Sequence, residues 1–351
     1  MTTTDTSTGP SADAGRQIAM VLDLNKCIGC QTCSVACKTL WGSDEGADYQ
    51  WWCSVNTMPG AGTPKGYEQM GGGFRDGKPV KGVAPARSDF GGGWKYNQDE
   101  IFYGGNPDHN PLRVVGETPT WGPNWDEDQG GGAYPNSFFY YLPRLCNFCT
   151  HPACVEACPK GAMAKRRSDG VVVRDEGRCR GYRYCAEACP YKKIYFNYER
   201  KVSQHCIGCL PRLEQGVAPA CARMCPGRLV FVGYLDDPDG PIHKLVNQWK
   251  VALPLHPEYE TLPNVYYIPP LGPAPYAEDG SLDEFSLRIP AEQLEAQFGK
   301  GVHQALATLV DEMQRTRSGE SSELMDMLIV YGWQELFPDF TRDPVDIQWN
   351  S

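Results

Sequence analysis

The sequence predicts an α+β protein made of two small cysteine-rich modules, a long loop insertion and a helical C-terminal extension. All but one of the 16 cysteines fall into four short groups, which defines the modules. Between the first two groups lies a stretch rich in glycine and tryptophan that has neither helical nor strand periodicity. After the last group, apolar residues recur at helical spacing.

The composition excludes several classes of protein. The 351 residues include 33 Lys+Arg and 43 Asp+Glu, and 41 % of them are hydrophobic, which is typical of a folded chain. The net charge of −10 provides no positive field for nucleic acid. The apolar runs are much shorter than the roughly 18 residues of a membrane-spanning helix. Residues 1–16 read as a flexible tail without the features of a secretory signal, so we expect a cytosolic chain or one exported folded with a partner.

The spacing of the cysteines predicts their chemistry. The four groups are Cys27-x2-Cys30-x2-Cys33-x3-Cys37, Cys146-x2-Cys149-x4-Cys154-x3-Cys158, Cys179-x5-Cys185-x3-Cys189 and Cys206-x2-Cys209-x11-Cys221-x3-Cys225. The first spacing is that of bacterial ferredoxins, in which three cysteines hold one iron–sulfur cubane and the fourth reaches a second. A tight loop gathers three thiolates and several N–H groups, and the x3 step starts a helix. The pattern therefore predicts ferredoxin-like iron–sulfur clusters; their division between two ferredoxin-like modules is implied only by the family resemblance given below.

Two other uses of these cysteines have to be compared with iron–sulfur ligation. Disulfide frameworks are typical of short secreted chains, whereas this chain is long enough to build a core. Zinc knuckles use paired C-x2-C motifs, but they do not require a third cysteine two residues later and a fourth before proline. A zinc-stabilised interaction protein is the alternative from another functional class. It would be colourless, whereas an iron–sulfur protein is brown.

The third group lacks one cysteine. Ferredoxin spacing places a cysteine at position 182, where this sequence has Tyr182. A cubane corner without a thiolate loses its iron, so we predict a [3Fe-4S] cluster with Tyr182 as the determinant. The alternative is a [4Fe-4S] cluster with another oxygen or nitrogen ligand, for which the neutral phenol of Tyr184 is poorly suited. The thiolate count then predicts three [4Fe-4S] clusters and one [3Fe-4S] cluster.

The insertion and the isolated cysteine have less specific patterns. A loop as long as the insertion is either functional or packed against other structure. Aromatic residues in loops often anchor interfaces, so we predict a partner-docking surface; the alternative is a self-packed cover over the clusters. The tryptophans of the insertion that favour docking are Trp51, Trp52, Trp94, Trp121 and Trp125. Cys53 is expected to be a buried small residue and not a ligand.

Basic residues flank the cysteine loops, and they are Lys26, Lys38, Arg180, Arg183, Lys192 and Lys193. They either offset the negative charge of the clusters and raise their potentials, or they are solvated surface charges. His151 and His205 adjoin the cysteines, but the thiolate count is complete without them, which argues against Rieske-type ligation.

The region after the last cysteine predicts a strand and two helices. The strand covers Leu229–Tyr234 and closes the core. One helix carries an apolar stripe and ends at Ser318-Gly319; the stripe consists of Leu294, Phe298, Val302, Leu306, Leu309 and Met313. A second helix is predicted over Ser322–Trp333.

The four cysteine groups, with an aromatic residue in the third, resemble the iron–sulfur beta subunits of the dimethyl sulfoxide reductase family of molybdoenzymes. The likeness is to the branch with nitrate reductase, ethylbenzene dehydrogenase, dimethyl sulfide dehydrogenase, selenate reductase and chlorate reductase. It covers roughly residues 17–345. The stretches that carry it are Gln17–Cys33, Trp121–Asp128, Cys179–Lys193, Ala252–His256 and Asn264–Pro270.

The resemblance implies how the clusters share ligands, because the first and fourth groups pair in this family, as do the second and third. Cluster A then takes Cys27, Cys30, Cys33 and Cys225; cluster B takes Cys37, Cys206, Cys209 and Cys221; cluster C takes Cys146, Cys149, Cys154 and Cys189; and the three-iron cluster D takes Cys158, Cys179 and Cys185. The implied regions are a tail (1–16), a first module (17–40 and 200–240), the docking insertion (41–140), a second module (141–199) and the C-terminal extension (241–351).

The resemblance also implies a role. The chain would be no enzyme by itself, but would relay single electrons between a molybdenum bis-pterin catalytic subunit near cluster A and a haem b subunit near cluster D. The likeness is strongest to dehydrogenases that hydroxylate hydrocarbon or steroid side chains; the alternatives are selenate, chlorate, nitrate and dimethyl sulfide oxidoreductases. A hydrogenase or formate dehydrogenase subunit would hold four [4Fe-4S] clusters, against which Tyr182 argues. The implied location is periplasmic, in a soluble heterotrimer co-exported with the catalytic subunit; the alternative is cytoplasmic.

Overall fold

The computed structural model describes residues 15–93, 130–283 and 286–346. The strands are β1 (Ile18–Asp23), β2 (Ser54–Met58), β3 (Phe74–Arg75), β4 (Lys78–Pro79), β5 (Tyr140–Arg144), β6 (Met163–Lys165), β7 (Val172–Arg174), β8 (Ile194–Asn197), β9 (Val202–His205), β10 (Val230–Tyr234), β11 (Leu253–Pro254) and β12 (Val265–Ile268). The helices are α1 (Thr32–Trp41), α2 (Ala153–Glu156), α3 (Tyr184–Ala188), α4 (Leu210–Leu213), α5 (Ala220–Arg223), α6 (Pro241–His243), α7 (Ala291–Phe298), α8 (Gly301–Arg317) and α9 (Glu323–Ile329). The mixture of helices and sheets confirms the predicted α+β class.

A four-stranded sheet in the order β10-β1-β12-β11 organises the core. Every residue of β1 is buried, so its sequence is an almost continuous apolar run rather than an alternating one. Strand β10 pairs antiparallel with β1, which confirms the strand predicted at Leu229–Tyr234. Strand β12 pairs with β1 in parallel. Strands β11 and β12 of the C-terminal extension therefore share one sheet with β1 and β10.

The short helices after the cysteine loops pack in two pairs. Helix α1 follows the first cysteine group and contacts α5 from the fourth group, while α2 from the second group contacts α3 from the third. Two-stranded ladders β6-β7 and β8-β9 border the second pair. The packing therefore joins the first group to the fourth and the second group to the third.

The first part of the insertion belongs to the core. Strand β2 pairs antiparallel with β5, so both ends of the insertion lie in one ladder. Trp51 and Trp52 are buried, with exposed fractions of 1 % and 5 %. Burial removes these two side chains from any docking surface and corrects the prediction for them. Trp94, Trp121 and Trp125 lie outside the described residues.

The C-terminal helices follow the predicted apolar stripe, with one break. The stripe is divided between α7 and α8 because Gly299 has a φ of +74°, a left-handed conformation that ends α7. The predicted end at Ser318-Gly319 is confirmed. Helix α9 begins after Ser322, whose side chain accepts a hydrogen bond from the Met325 N–H, and it ends at Ile329 rather than at Trp333. Within the described ranges, no helix has the length and apolarity needed to cross a bilayer.

Candidate metal centres

The four cysteine loops share one backbone feature. The second residue after the first cysteine of each group has a positive φ: +67° at Gly29, +44° at Phe148, +70° at Gly181 and +65° at Gly208. Glycine adopts this conformation without steric cost, whereas Phe148 is held in it by complete burial. In three of the loops the backbone N–H of this residue is hydrogen-bonded to the sulfur two positions earlier: Gly29 to Cys27, Phe148 to Cys146 and Gly208 to Cys206.

Several cysteine sulfurs accept hydrogen bonds, one of them within such a turn. The N–H of Gly208 donates to Cys206 Sγ over 3.4 Å, and the N–H of Ala162 donates to Cys158 Sγ over 3.3 Å. The indole Nε1–H of Trp41 donates to Cys209 Sγ over 3.2 Å. Donors aimed at sulfur stabilise a thiolate, because bonds to an ionised acceptor are stronger than bonds to a neutral one. The sulfur environment therefore fits negatively charged iron–sulfur clusters.

The cysteines expected for cluster A line one cavity. The cavity is lined by Cys27, Cys30, Cys33 and Cys225, joined by Cys53, Cys221, Lys26 and Gln31. Side chains of β1 and β10, including Met20, Leu22 and Val230, form the apolar wall. Burial raises the pKa of the Cys27 thiol to about 12; the Gly29 N–H opposes this, and the nearby sulfurs of Cys33, Cys225 and Cys30 raise it further. The fold brings these four thiols together.

Within the set expected for cluster B, and within the set expected for cluster C, the cysteines lie close to one another. Burial raises the pKa of the Cys221 thiol, and nearby Cys209, Cys37 and Cys206 raise it further. Burial also raises the pKa of the Cys154 thiol. The neighbouring cysteines add smaller upward shifts, and they are Cys189, Cys146 and Cys149. These thiols are neutral without metal, and metal binding has to displace their protons.

The cysteines expected for cluster D line a second cavity together with two tyrosines. Cys158, Cys179 and Cys185 share its wall with Tyr182 and Tyr184. Burial raises the pKa of Cys185 to about 11, and neighbouring Cys158 and Cys179 add to the shift. Tyr182 is 52 % exposed, and its ring centroid lies 6.0 Å from that of Tyr184. The cavity thus has three thiols and an aromatic side chain at the fourth position.

The geometry also tests the other uses of cysteine. All 16 cysteines are free, which leaves no disulfide framework. In residues 15–93, 130–283 and 286–346, no three His, Cys, Asp or Glu side chains converge closely enough for a single metal ion. Cysteines that line wider cavities fit a multi-iron cluster better than a zinc ion.

Burial separates the basic residues into two sets. Lys38, Lys192 and Lys193 have exposed fractions of 5 %, 0 % and 1 %, so the solvated alternative does not apply to them. The side chain of Lys26 is 24 % exposed, and Arg180 and Arg183 lie at the surface. These three are available to solvent or to a partner.

Two further cations close to the cysteines are absent from the sequence-based set. Arg144 is buried, and its guanidinium lies 3.2 Å from the centroid of the Tyr67 ring. Lys165 donates to the carbonyl oxygens of Phe148 and Gly170 at 3.1 and 2.7 Å. Burial lowers the pKa of Lys165 to about 8, which nearby Cys149 opposes. Arg144 lies two residues before Cys146, which is a sequence signal for it, whereas Lys165 opens the basic run Lys165-Arg166-Arg167 and has no comparable signal.

The two histidines beside the cysteines have other partners. His205 is fully buried; its Nδ1 lies 2.7 Å from the Cys206 carbonyl oxygen, and burial lowers its pKa to about 3. The His151 ring stacks on Phe74 at 3.9 Å between centroids, and its Nε2 lies 2.7 Å from a carboxylate oxygen of Glu156.

Comparison with known proteins gives the family. Residues 137–235 match the family of 4Fe-4S dicluster domains. The chain is 56 % identical to the selenate reductase subunit beta of Thauera selenatis over 90 % of its own length and 97 % of the relative's. It is 54 % identical to the chlorate reductase subunit beta of Ideonella dechloratans (90 % and 96 %) and 50 % identical to the dimethylsulfide dehydrogenase subunit beta of Rhodovulum sulfidophilum (92 % and 98 %).

These identities extend over almost the whole chain, and they agree with the cysteine-lined cavities and with the resemblance drawn from the motifs. A beta subunit of this kind transfers electrons and is not itself the catalytic subunit. The chain belongs to the iron–sulfur beta subunits of the dimethyl sulfoxide reductase family of molybdoenzymes, in the branch of the selenate reductase, chlorate reductase and dimethyl sulfide dehydrogenase subunits.

Proposed function

We propose that this chain holds three [4Fe-4S] clusters and one [3Fe-4S] cluster and thereby connects a molybdenum catalytic subunit to a haem b subunit. Bound clusters supply one-electron redox chemistry, while the chain provides their ligands and excludes water from them. The ligand sets are those expected from the sequence: Cys27, Cys30, Cys33 and Cys225 for A; Cys37, Cys206, Cys209 and Cys221 for B; Cys146, Cys149, Cys154 and Cys189 for C; and Cys158, Cys179 and Cys185 for D. Helix packing and the two cavities support this division.

One observation supports the proposal that three clusters are [4Fe-4S] and one is [3Fe-4S]. Tyr182 follows Gly181 in the third loop as Cys30 follows Gly29 in the first, and both glycines have nearly the same positive φ. The third loop therefore presents a phenol where the first presents a thiol. We expect the oxidised protein to show a single [3Fe-4S] signal in low-temperature EPR, and the reduced protein to show coupled [4Fe-4S] signals. Absence of the three-iron signal would refute this role of Tyr182.

The surfaces at the two ends support the proposed partners. Ile28 and Met224, which flank cluster A cysteines, are 65 % and 56 % exposed. At the other end, Tyr182 and Tyr184 are half exposed beside Arg180. Apolar and aromatic side chains are enriched in the cores of protein interfaces. We assign the first surface to the catalytic subunit and the second to the haem subunit.

The substrate and location of the complex belong to the same proposal. The sequence motifs favour a periplasmic dehydrogenase that hydroxylates a hydrocarbon or steroid side chain and is exported folded with its catalytic subunit. Relatives at 56 % and 54 % identity are named for selenate and chlorate, which supports oxyanion reduction as the second candidate.

Native purification tests the assembly before any substrate is chosen. We expect the chain to copurify with a molybdenum-containing large subunit and a haem protein, in a fraction that also contains iron. The purified complex is then assayed with hydrocarbon and steroid substrates in one direction and with selenate and chlorate in the other. A chain that purifies alone with iron and no molybdenum would contradict the assembly but not the cluster binding.

A further inference from the structure

Lys193 is buried in the protein interior, at the end of the third cysteine group. It directly precedes β8, whose first residue Ile194 pairs with His205 at the end of β9. The antiparallel register therefore places Lys193 opposite Cys206, the next residue after β9. With an exposed fraction of 1 %, its ammonium group cannot be solvated by bulk water.

The hydrogen bonds of Lys193 are all to neutral groups. Its Nζ donates to the Trp51 carbonyl oxygen at 2.9 Å, to Ser54 Oγ at 3.0 Å and to the Tyr195 hydroxyl at 3.1 Å. No ion pair with a carboxylate is formed by Lys193 among the residues that the structure describes. A buried cation with only neutral partners is costly unless an anion lies nearby.

A second buried cation adds to this cost. Arg144 is 1 % exposed and donates to Asn56 Oδ1 at 3.2 Å, to the Thr63 carbonyl oxygen at 3.1 Å and to the Tyr191 carbonyl oxygen at 2.6 Å. These acceptors are neutral as well. Burial lowers the pKa of Lys193 to about 7, and the positive charge of Arg144 contributes to the same shift. Arg144 has the carboxylate of Glu68 within electrostatic range, whereas cysteines and Arg144, and no carboxylate, are the main charged neighbours of Lys193.

Two of the cysteines expected for cluster B, Cys37 and Cys206, lie near Lys193. Cys206 is opposite Lys193 in the β8-β9 ladder, and Cys53 directly precedes the Ser54 that binds Lys193. The backbone N–H of Cys53 is hydrogen-bonded to the sulfur of Cys37, and the positive charge of Lys193 lowers the pKa values of both Cys37 and Cys206 against the effect of burial. Four thiolates and their irons at this site would provide the missing negative charge.

We propose that Lys193 is the buried counter-ion of the cluster held by Cys37, Cys206, Cys209 and Cys221, and that its charge raises the reduction potential of that cluster. The inference rests on the proposed function. Reduction adds one negative charge to the cluster, and a fixed cation beside it stabilises the reduced form more than the oxidised form. Because Lys193 is shielded from water and salt, its effect is not screened as that of a surface lysine would be.

The test is a redox titration of the purified complex followed by low-temperature EPR. The variant Lys193→Met removes the charge and keeps an unbranched side chain of similar length. We expect the potential of cluster B to fall by at least 59 mV, which is a tenfold change in the ratio of oxidised to reduced protein for a one-electron couple. Smaller shifts are expected for clusters A and D. The matched control is Lys78→Met, which removes a lysine charge from the exposed strand β4.

Two further variants cover the case in which Lys193→Met does not assemble. Lys193→Gln is neutral but still donates hydrogen bonds, and Lys193→Arg keeps the charge. Loss of cluster B from both neutral variants but not from Lys193→Arg would support the counter-ion role, since the charge itself would then be required. An unchanged potential in a fully loaded neutral variant would overturn the inference, as would equal loss of iron from all three variants. A wild-type iron content below four clusters would instead contradict the proposed function.

Discussion

The loop from Cys27 to Cys33 and the loop from Cys179 to Cys185 have almost the same backbone. Both contain a glycine at the third position, with φ of +67° and +70°. Both then have a left-handed residue at the fifth position, Gln31 with φ of +58° and Arg183 with φ of +62°, and a helix begins at the next residue. The two loops differ at the fourth position, where the first has Cys30 and the third group has Tyr182.

This comparison shows that the backbone shape of a cysteine loop and the number of thiols it presents depend on different residues. The backbone turn is set by glycine, by the left-handed residue and by the helix that follows, none of which depends on the side chain at the fourth position. Cys30 and Tyr182 are both exposed, so neither is required for packing. Under the proposed function, a single exposed side chain would change the metal chemistry of a loop without changing its fold.

The largest expected effect comes from restoring the thiol in the third loop. Tyr182→Cys provides the fourth ligand of cluster D, and we expect the cluster to take up a fourth iron and its potential to fall. EPR of the oxidised variant should lack the three-iron signal, and iron analysis should show one additional iron. A spectrum identical to that of the wild type would contradict the assigned ligands, and Tyr182→Phe is the matched control that adds no ligand.

The reciprocal change in the first loop should be nearly as large. Cys30→Tyr copies the third loop and removes one thiolate from cluster A, so we expect a second three-iron signal and a higher potential for A. The backbone should tolerate the change because the residue is exposed. Spin quantification of the oxidised sample measures the result. If the Cys30→Tyr variant has the iron content of the wild type and still shows one three-iron spin per protein, then Cys30 is not a cluster ligand.

A smaller difference is expected when the two glycines are replaced. A Cβ at Gly29 would lie 2.5 Å from the Tyr141 ring, whereas at Gly181 the nearest atom would be the Lys201 carbonyl oxygen at 3.0 Å. Both positions have positive φ, which costs a non-glycine residue about 1–2 kcal/mol. Gly29→Ala should therefore lower the melting temperature and the iron content more than Gly181→Ala. Thermal melting and iron analysis of the two variants measure these effects. A lower melting temperature and iron content in Gly181→Ala than in Gly29→Ala would contradict the prediction.

The smallest expected effect concerns Cys53, which has no counterpart in the third loop. Its side chain is hydrogen-bonded to Cys33, and this bond is the largest influence that lowers the pKa of Cys33. Cys53→Ala should leave the iron content unchanged and reduce the potential of cluster A slightly, because one hydrogen bond to a ligand sulfur is lost. Loss of a complete cluster would show instead that Cys53 is a ligand.

The sequence predicted the local parts of this protein well. The strand at Leu229–Tyr234 and the helix end at Ser318 depend on neighbouring residues, and the structure has both close to the expected positions. The break at Gly299 was missed because its neighbours continue the apolar stripe, although a glycine there permits the positive φ that divides the helices.

Other features could not be predicted from neighbouring residues. Trp51 and Trp52 resemble interface residues in an irregular stretch, yet pairing of β2 with β5 buries them. Strand β12 joins β1 from more than 200 positions away along the chain. The parallel partner of a strand is selected by packing of the whole core, because any apolar strand of suitable length can satisfy the same backbone groups.

The sequence by itself determined the spacing of the cysteines, from which the ligands and the missing ligand at Tyr182 are predicted, and it favoured a tight turn in each cysteine loop, since spacing acts locally. Tertiary structure alone decided the environment of those loops. Lys193 and Arg180 both flank the third cysteine group in the sequence, but the first is buried and the second lies at the surface. Whether a charge acts on a cluster or is screened by water depends on burial, and burial is a property of the complete fold.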